Sequence, residues 1–138
     1  MSHEQATAPD ARLALAFRIA LAAALAEILL VALVTLRSAP PEAPLYAGLL
    51  WAAVKCAPLV LVLPGLARGR ANAAVWLCFL LCAYFLTAVL AAMDAPPRRW
   101  LGLLEVGLVA AGFVAGLLAA RWARQSAASS ATGKAEGS

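Results

Sequence analysis

The sequence predicts an all-α integral membrane protein, a four-helix up-down-up-down bundle with both termini in the cytoplasm. Four long apolar blocks fill the chain at 14–36, 45–63, 73–92 and 100–120. Each matches the roughly 20 apolar residues that a helix needs to cross a hydrocarbon layer about 30 Å thick. Hydrophobic residues make up 64% of the 138 and charged residues 13%, against about 45–50% and about 25% in soluble domains. So few charges could not cover so much apolar surface in water. The joints are short, so consecutive helices run antiparallel. The expected organisation is a flexible N-terminal tail at 1–13, one transmembrane domain at 14–124, and a disordered tail at 125–138 rich in Ala, Ser and Gly.

The first block is longer than the 7–15 apolar residues typical of a signal-peptide core, and Glu27 sits at its middle. Arg37-Ser38-Ala39-Pro40 lacks a small residue three before the possible cut and places proline just after it, so the block reads as a retained helix. In the joint that follows, Pro40, Pro41 and Pro44 stop the helix and stiffen the turn. The second block carries Lys55, Pro58 and Pro64. Each proline lacks an N–H, which frees the carbonyls of Val54 and Val60. A tight turn over Gly65–Asn72 holds Arg68 and Arg70. The third block contains Cys78, Cys82, Tyr84 and Thr87, the last two able to hydrogen-bond across the bundle. The joint over Asp94–Arg99 places Pro96 and Pro97 at the start of the fourth helix, with Asp94 as its expected cap.

Orientation follows from the basic residues in the joints. Arg12, Arg18, Arg68, Arg70, Arg121, Arg124 and Lys134 fall on one side, and only Arg37, Arg98 and Arg99 on the other. The richer side is cytoplasmic by the positive-inside rule. This distribution accounts for the net charge of +4 without nucleic acid. Arg68 and Arg70 serve either as that topology signal or as a contact for anionic lipid headgroups. Tyr46, Trp100 and Trp122 lie near block ends, where aromatic rings favour the headgroup layer.

Cysteine use argues against a disulfide framework or a metal site. Cys56, Cys78 and Cys82 all lie inside apolar blocks, and the one histidine, His3, is in the N-terminal tail. No cofactor is implied. A nucleophile paired with a base, surface catalytic acids and a phosphate loop are all missing from the pattern, which argues against an enzyme.

Three ionisable residues lie inside the blocks: Glu27, Lys55 and Glu105. A charge at bilayer depth costs several kcal/mol, so each should face protein, pair, or become neutral. Depth is estimated from a rise of about 1.5 Å per residue. Glu27 then lies roughly 15 Å, Lys55 roughly 14 Å and Glu105 roughly 8 Å from the outer boundary. The match predicts an ion pair between Glu27 and Lys55, with Glu105 reaching toward Lys55 or toward Arg98 and Arg99. On the fourth helix Glu105, Gly112 and Gly116 share one stripe, and Gly112 and Gly116 form a small-xxx-small pattern that permits close helix approach. Gly48, Trp51 and Lys55 share a stripe on the second.

From Lys55 to Arg121 the chain resembles a proteobacterial family of small predicted membrane proteins, domain of unknown function 2069. The resemblance rests on Lys55, Pro58, Leu63-Pro64-Gly65-Leu66, Arg68-Gly69-Arg70, Trp76, Tyr84-Phe85, Trp100-Leu101, Leu104-Glu105, Phe113 and Ala120-Arg121. It departs at Asn72 and Ala73, where the family carries an aromatic and a hydroxyl residue, and at Ala88 and Ala91, where the family carries a glycine and an acid. The resemblance implies a four-helix protein of the bacterial inner membrane and no particular activity.

Two functions fit these features. The first is a non-enzymatic helical interaction or structural module. It would contact the bilayer and a second copy or other membrane proteins through the glycine stripe. The alternative is a small proton-coupled transporter or ligand-binding membrane protein that uses Glu27, Lys55 and Glu105.

Overall fold

Residues 7–137 are described by the computed structural model, and the expectations on the first six residues, His3 among them, lie outside the described residues. The described chain is helical apart from its joints. In order, the elements are α1 (Thr7–Arg37), α2 (Leu45–Ala67), α3 (Ala71–Ala92) and α4 (Arg98–Glu136). All four are long and apolar enough to cross a membrane.

Side-chain size is distributed as lipid solvation requires. Ala20, Ala24, Ala74, Ala88 and Ala119 are at most 1% exposed, while Leu29, Leu61 and Phe79 are at least 71% exposed. Between helices in lipid there is no hydrophobic drive, because the tails are as apolar as leucine. Small residues therefore collect where backbones approach, and large ones face outward. The core that results runs along the bundle through Phe17, Leu59, Leu66, Leu77, Leu81 and Val109. The most extensive helix pair is α3 with α4, and α1 packs against both α2 and α4.

Proline and glycine set the joints. Pro44 precedes α2 in extended conformation. At the other end of α2, the Gly69 N–H donates to Leu66 O at 3.0 Å and the Arg70 N–H to Gly65 O at 3.0 Å. Gly69 has φ +67°. This pair of bonds around a left-handed residue is the Schellman motif, and glycine is the residue that adopts it without a Cβ penalty. Close approach fixes a second glycine: a Cβ on Gly65 would stand 2.6 Å from Ala73 Cβ, so α3 folds back tightly on α2.

Two helices differ from the expected boundaries. α1 spans Thr7–Arg37 among the described residues, so it takes in part of the stretch read as a flexible tail. α4 continues to Glu136 through the stretch read as disordered. Alanine favours the helix there, and the hydroxyls of Ser129, Ser130 and Thr132 donate to carbonyls four residues back at 3.0–3.1 Å. Asp94 also differs in role. It does not cap α4; its carboxylate accepts from the Ala95 N–H and lies 3.5 Å from the Arg98 guanidinium.

Candidate functional site: a polar cleft between the helices

Pro58 is where the site begins. Its missing N–H leaves Val54 O without a helical donor and loosens the preceding turn of α2. The neighbouring carbonyl, Lys55 O, accepts the hydroxyl of Tyr84 from α3. This contact ties α3 to the turn of α2 just before Pro58, one residue from the carbonyl that the proline frees. Thr87 donates to Tyr84 O at 2.8 Å, one turn further along α3.

Beside this contact lies a cavity of about 420 Å³, walled by all four helices. Thr35 of α1, Lys55 and Pro58 of α2, Tyr84 and Thr87 of α3, and Arg98 and Glu105 of α4 line it together with apolar residues. A second hollow of about 480 Å³ shares Val34, Thr35, Lys55 and Arg98 with the first. It extends past Gly48 and Trp51 to Ser38 and Pro40 in the α1–α2 joint. Together they form one cleft that opens at the joint end. The stripe of Gly48, Trp51 and Lys55 expected on α2 thus forms one wall of its mouth.

The predicted ion pair between Glu27 and Lys55 is not made. Glu27 is fully buried, and neither of its carboxylate oxygens has a hydrogen-bond partner among the described residues. Lys55 is exposed along the cleft. The depth match was sound, because Cys56 donates its S–H to Ile28 O at 3.6 Å, so residues 55–56 do stand level with 27–28. Rotation is what differs. The buried stripe of α2 is Gly48, Ala52, Cys56, Leu59 and Leu66. Consecutive residues are turned by about 100°, so Cys56 takes the position facing α1 and Lys55 is turned toward the cleft.

Glu105 is 8% exposed and shares the cavity with Lys55 and Arg98. It also lies near enough to Glu27 to act on it electrostatically, and Tyr84 feels both acids. The structure thus gathers the three expected residues into one region, with Lys55 on the cleft side, Glu27 on the core side and Glu105 between. Tyr84 and Arg98 belong to the same cluster. Tyr84 was legible only as a group able to bond across the bundle, and Arg98 only as a possible partner of Glu105.

The glycine stripe packs as its spacing implied, and it does so inside the monomer. A Cβ on Gly112 would lie 3.1 Å from a Leu81 methyl and 3.2 Å from Ala23 Cβ. On Gly116 it would lie 2.9 Å from Cys78 Sγ. The S–H of Cys78 donates to Phe113 O at 3.6 Å in the same seam. These faces are covered by α1 and α3. At the other end of the bundle, Arg68 and Arg18 line a hollow of about 440 Å³, and Arg70 stands exposed at the start of α3.

Comparison with known families gives one match. The family described as "Predicted membrane protein (DUF2069)" aligns with residues 19–124. The chain belongs to this family. The matched DUF2069 region takes in most of α1, all of α2 and α3, and the part of α4 that carries Glu105 and both packing glycines. No curated protein and no solved structure matches the chain.

Proposed function

We propose that this DUF2069 protein is a non-enzymatic binding protein of the bacterial inner membrane whose cleft receives an amphiphile with an acidic head. The carrying observation is the cleft itself: Lys55 and Arg98 enter one mostly apolar hollow from two helices. Lys55 is a compact cation on a flexible stem, and Arg98 a planar donor already near Asp94. A carboxylate or phosphate head between them pairs with both cations, and an acyl chain fits the apolar wall. Thr35 offers a hydroxyl to the same head.

In this reading the helices run up-down-up-down with both termini cytoplasmic, and the cleft opens toward the outer leaflet. The basic α2–α3 turn, with Arg68 and Arg70, lies on the cytoplasmic side, as the positive-inside rule requires. A homo-oligomer built on Gly112 and Gly116 is less well supported, because those glycines already meet Leu81, Ala23 and Cys78 of their own chain. Catalysis is not part of the proposal, since the cluster offers no nucleophile with an adjacent base.

A photo-crosslinkable fatty acid tests the reading in reconstituted vesicles. Adducts are expected on cleft residues of α2 and α4, and they should fall at least tenfold in Lys55→Leu/Arg98→Leu. Adducts confined to the outward faces of the helices, unchanged by that substitution, would overturn it. Orientation is checked separately with cysteine-free protein carrying Ser38→Cys or Ser126→Cys. An impermeant maleimide should label the first in intact cells and the second only after permeabilisation.

A further inference from the structure

Glu27 is the group that the cleft reading leaves unused. Its side chain has no exposed surface, and both carboxylate oxygens lack a partner among the described residues. An ionised carboxylate in that state is costly even in a soluble protein's core, and lipid around the bundle makes it more so. Structural charges in membranes escape this by pairing, yet Glu27 has not paired with Lys55. The charged group that acts on it is another acid, Glu105 of α4. Two carboxyl groups coupled in a poorly solvated site resist ionising together, because each raises the energy of the other's charge.

The groups around Glu27 leave a proton as the remaining neutraliser. On α4 the facing titratable group is Glu105, on α3 it is Tyr84, and on α2 they are Cys56 and Lys55. Tyr84 spends its hydroxyl hydrogen on Lys55 O, and Cys56 spends its S–H on Ile28 O. Lys55 is turned to the cleft, where Glu105 also faces. A bare metal ion needs several oxygen ligands at once, and among the described residues no group of three or more His, Cys, Asp or Glu could hold one.

We propose that Glu27 and Glu105 form a proton-binding pair that holds one proton in the bundle, with Glu105 and the cleft as its route to water. The step is a simple transfer. The two carboxyls are not hydrogen-bonded at rest, so a side-chain rotation brings a Glu27 oxygen to a Glu105 oxygen, the proton crosses, and from Glu105 it passes to water in the cleft, leaving one carboxylate beside the cations Lys55 and Arg98. This places a charge-changing site directly behind a cleft that carries fixed cations, and it stands whatever occupies the cleft.

Infrared difference spectroscopy on wild-type protein in sodium-free vesicles tests it without any ligand. With 13C-labelled glutamate, a protonated-carboxyl band that shifts with the label is expected at neutral pH. Glu27→Gln should abolish it, and Glu105→Gln should leave a single band at altered frequency. Absence of a label-sensitive band in the wild type would overturn the proposal. So would its loss on adding sodium at constant pH, which would assign the pair to a cation instead. The wild-type measurement decides even where a variant fails to fold. The route is read from exchange of the band into D2O. Val54→Trp at the cleft wall, 57% exposed and lipid-accessible in the wild type, should slow exchange at least tenfold. Unchanged exchange would remove the cleft as the path. Failure of the fatty-acid crosslinking leaves this band untouched, so the two proposals fail separately.

Discussion

Among the described glycines Gly102 leaves the least room for a Cβ, and replacing it with alanine gives a sharp test of how α3 and α4 meet. A Cβ there would stand 2.4 Å from Ala92 N, 2.7 Å from Ala91 C and 2.8 Å from Ala92 Cα. Comfortable carbon contacts begin near 3.5 Å. The obstructing atoms are backbone, so no rotamer change relieves the clash, and α4 must move by about 1 Å. Overpacking of this kind costs about 1–3 kcal/mol, and the rigid obstruction argues for the upper end. Alanine's better helix propensity returns about 1 kcal/mol. The expected net loss is about 2 kcal/mol, or about thirtyfold in the folding equilibrium. Gly107 is the control on the same helix, because nothing lies within 4 Å of a Cβ placed there. Its alanine variant should match the wild type or exceed it slightly. Unfolding in mixed micelles, followed by far-ultraviolet circular dichroism across a denaturing-detergent titration, compares the two. If Gly102→Ala proves as stable as Gly107→Ala, the α3–α4 seam is not as close as described.

Three further outcomes follow from the same packing. Gly69→Ala should destabilise by about 1–2 kcal/mol because its φ is +67°, while Gly69→Asn should lose less; equal losses in the same titration would contradict the Schellman turn. Tyr84→Phe removes the hydroxyl that serves Lys55 O and should cost about 1 kcal/mol, and no change would show that water or lipid serves that carbonyl equally well. In a double-mutant cycle, Glu27→Leu alone should raise stability by about 1–3 kcal/mol by removing an unpartnered buried acid. Its coupling to Lys55→Leu should stay below about 0.5 kcal/mol; a larger favourable coupling would mean the two residues pair after all.

Block length, proline placement and small-residue spacing were enough to read four helices and the face on which α4 packs. These signals are one-dimensional: a hydrocarbon layer has a fixed thickness, and residues four apart share a face. The depth match between Glu27 and Lys55 was legible for the same reason. What the sequence left open was the rotation of α2 about its axis. Gly48, Trp51 and Lys55 make one plausible inward stripe, and Gly48, Ala52 and Cys56 make another, displaced by about one residue. Hydrophobicity does not separate the two stripes in lipid, and the charge of Lys55 argued for the first. Close packing decides it, since Ala52 and Cys56 are small enough to let α1 approach and Lys55 is not. The reach of α4 to Glu136 was missed for a different reason. A polar alanine-rich stretch is compositionally alike whether it is a tail or a solvated helix.

That rotation also explains why the two kinds of charge end in different places. A lysine stem is long and flexible, so the Lys55 head can follow the cleft toward its mouth, as cationic side chains do near membrane boundaries. A glutamate at similar depth has a shorter reach. Held on the core face of α1, Glu27 can reach neither the cleft nor a cation, and the smallest change that makes it compatible with its surroundings is a proton. Had the pair formed, both charges would have been fixed and the site inert. Keeping them apart leaves a cation open to a ligand on one side of Glu105 and an acid able to exchange a proton on the other. Glu105 is therefore the residue through which the two would communicate, and Glu105→Gln is expected to slow proton exchange at Glu27 while leaving fatty-acid crosslinking at Lys55 in place. Loss of both together would mean that the cleft and the acid pair form one structural unit.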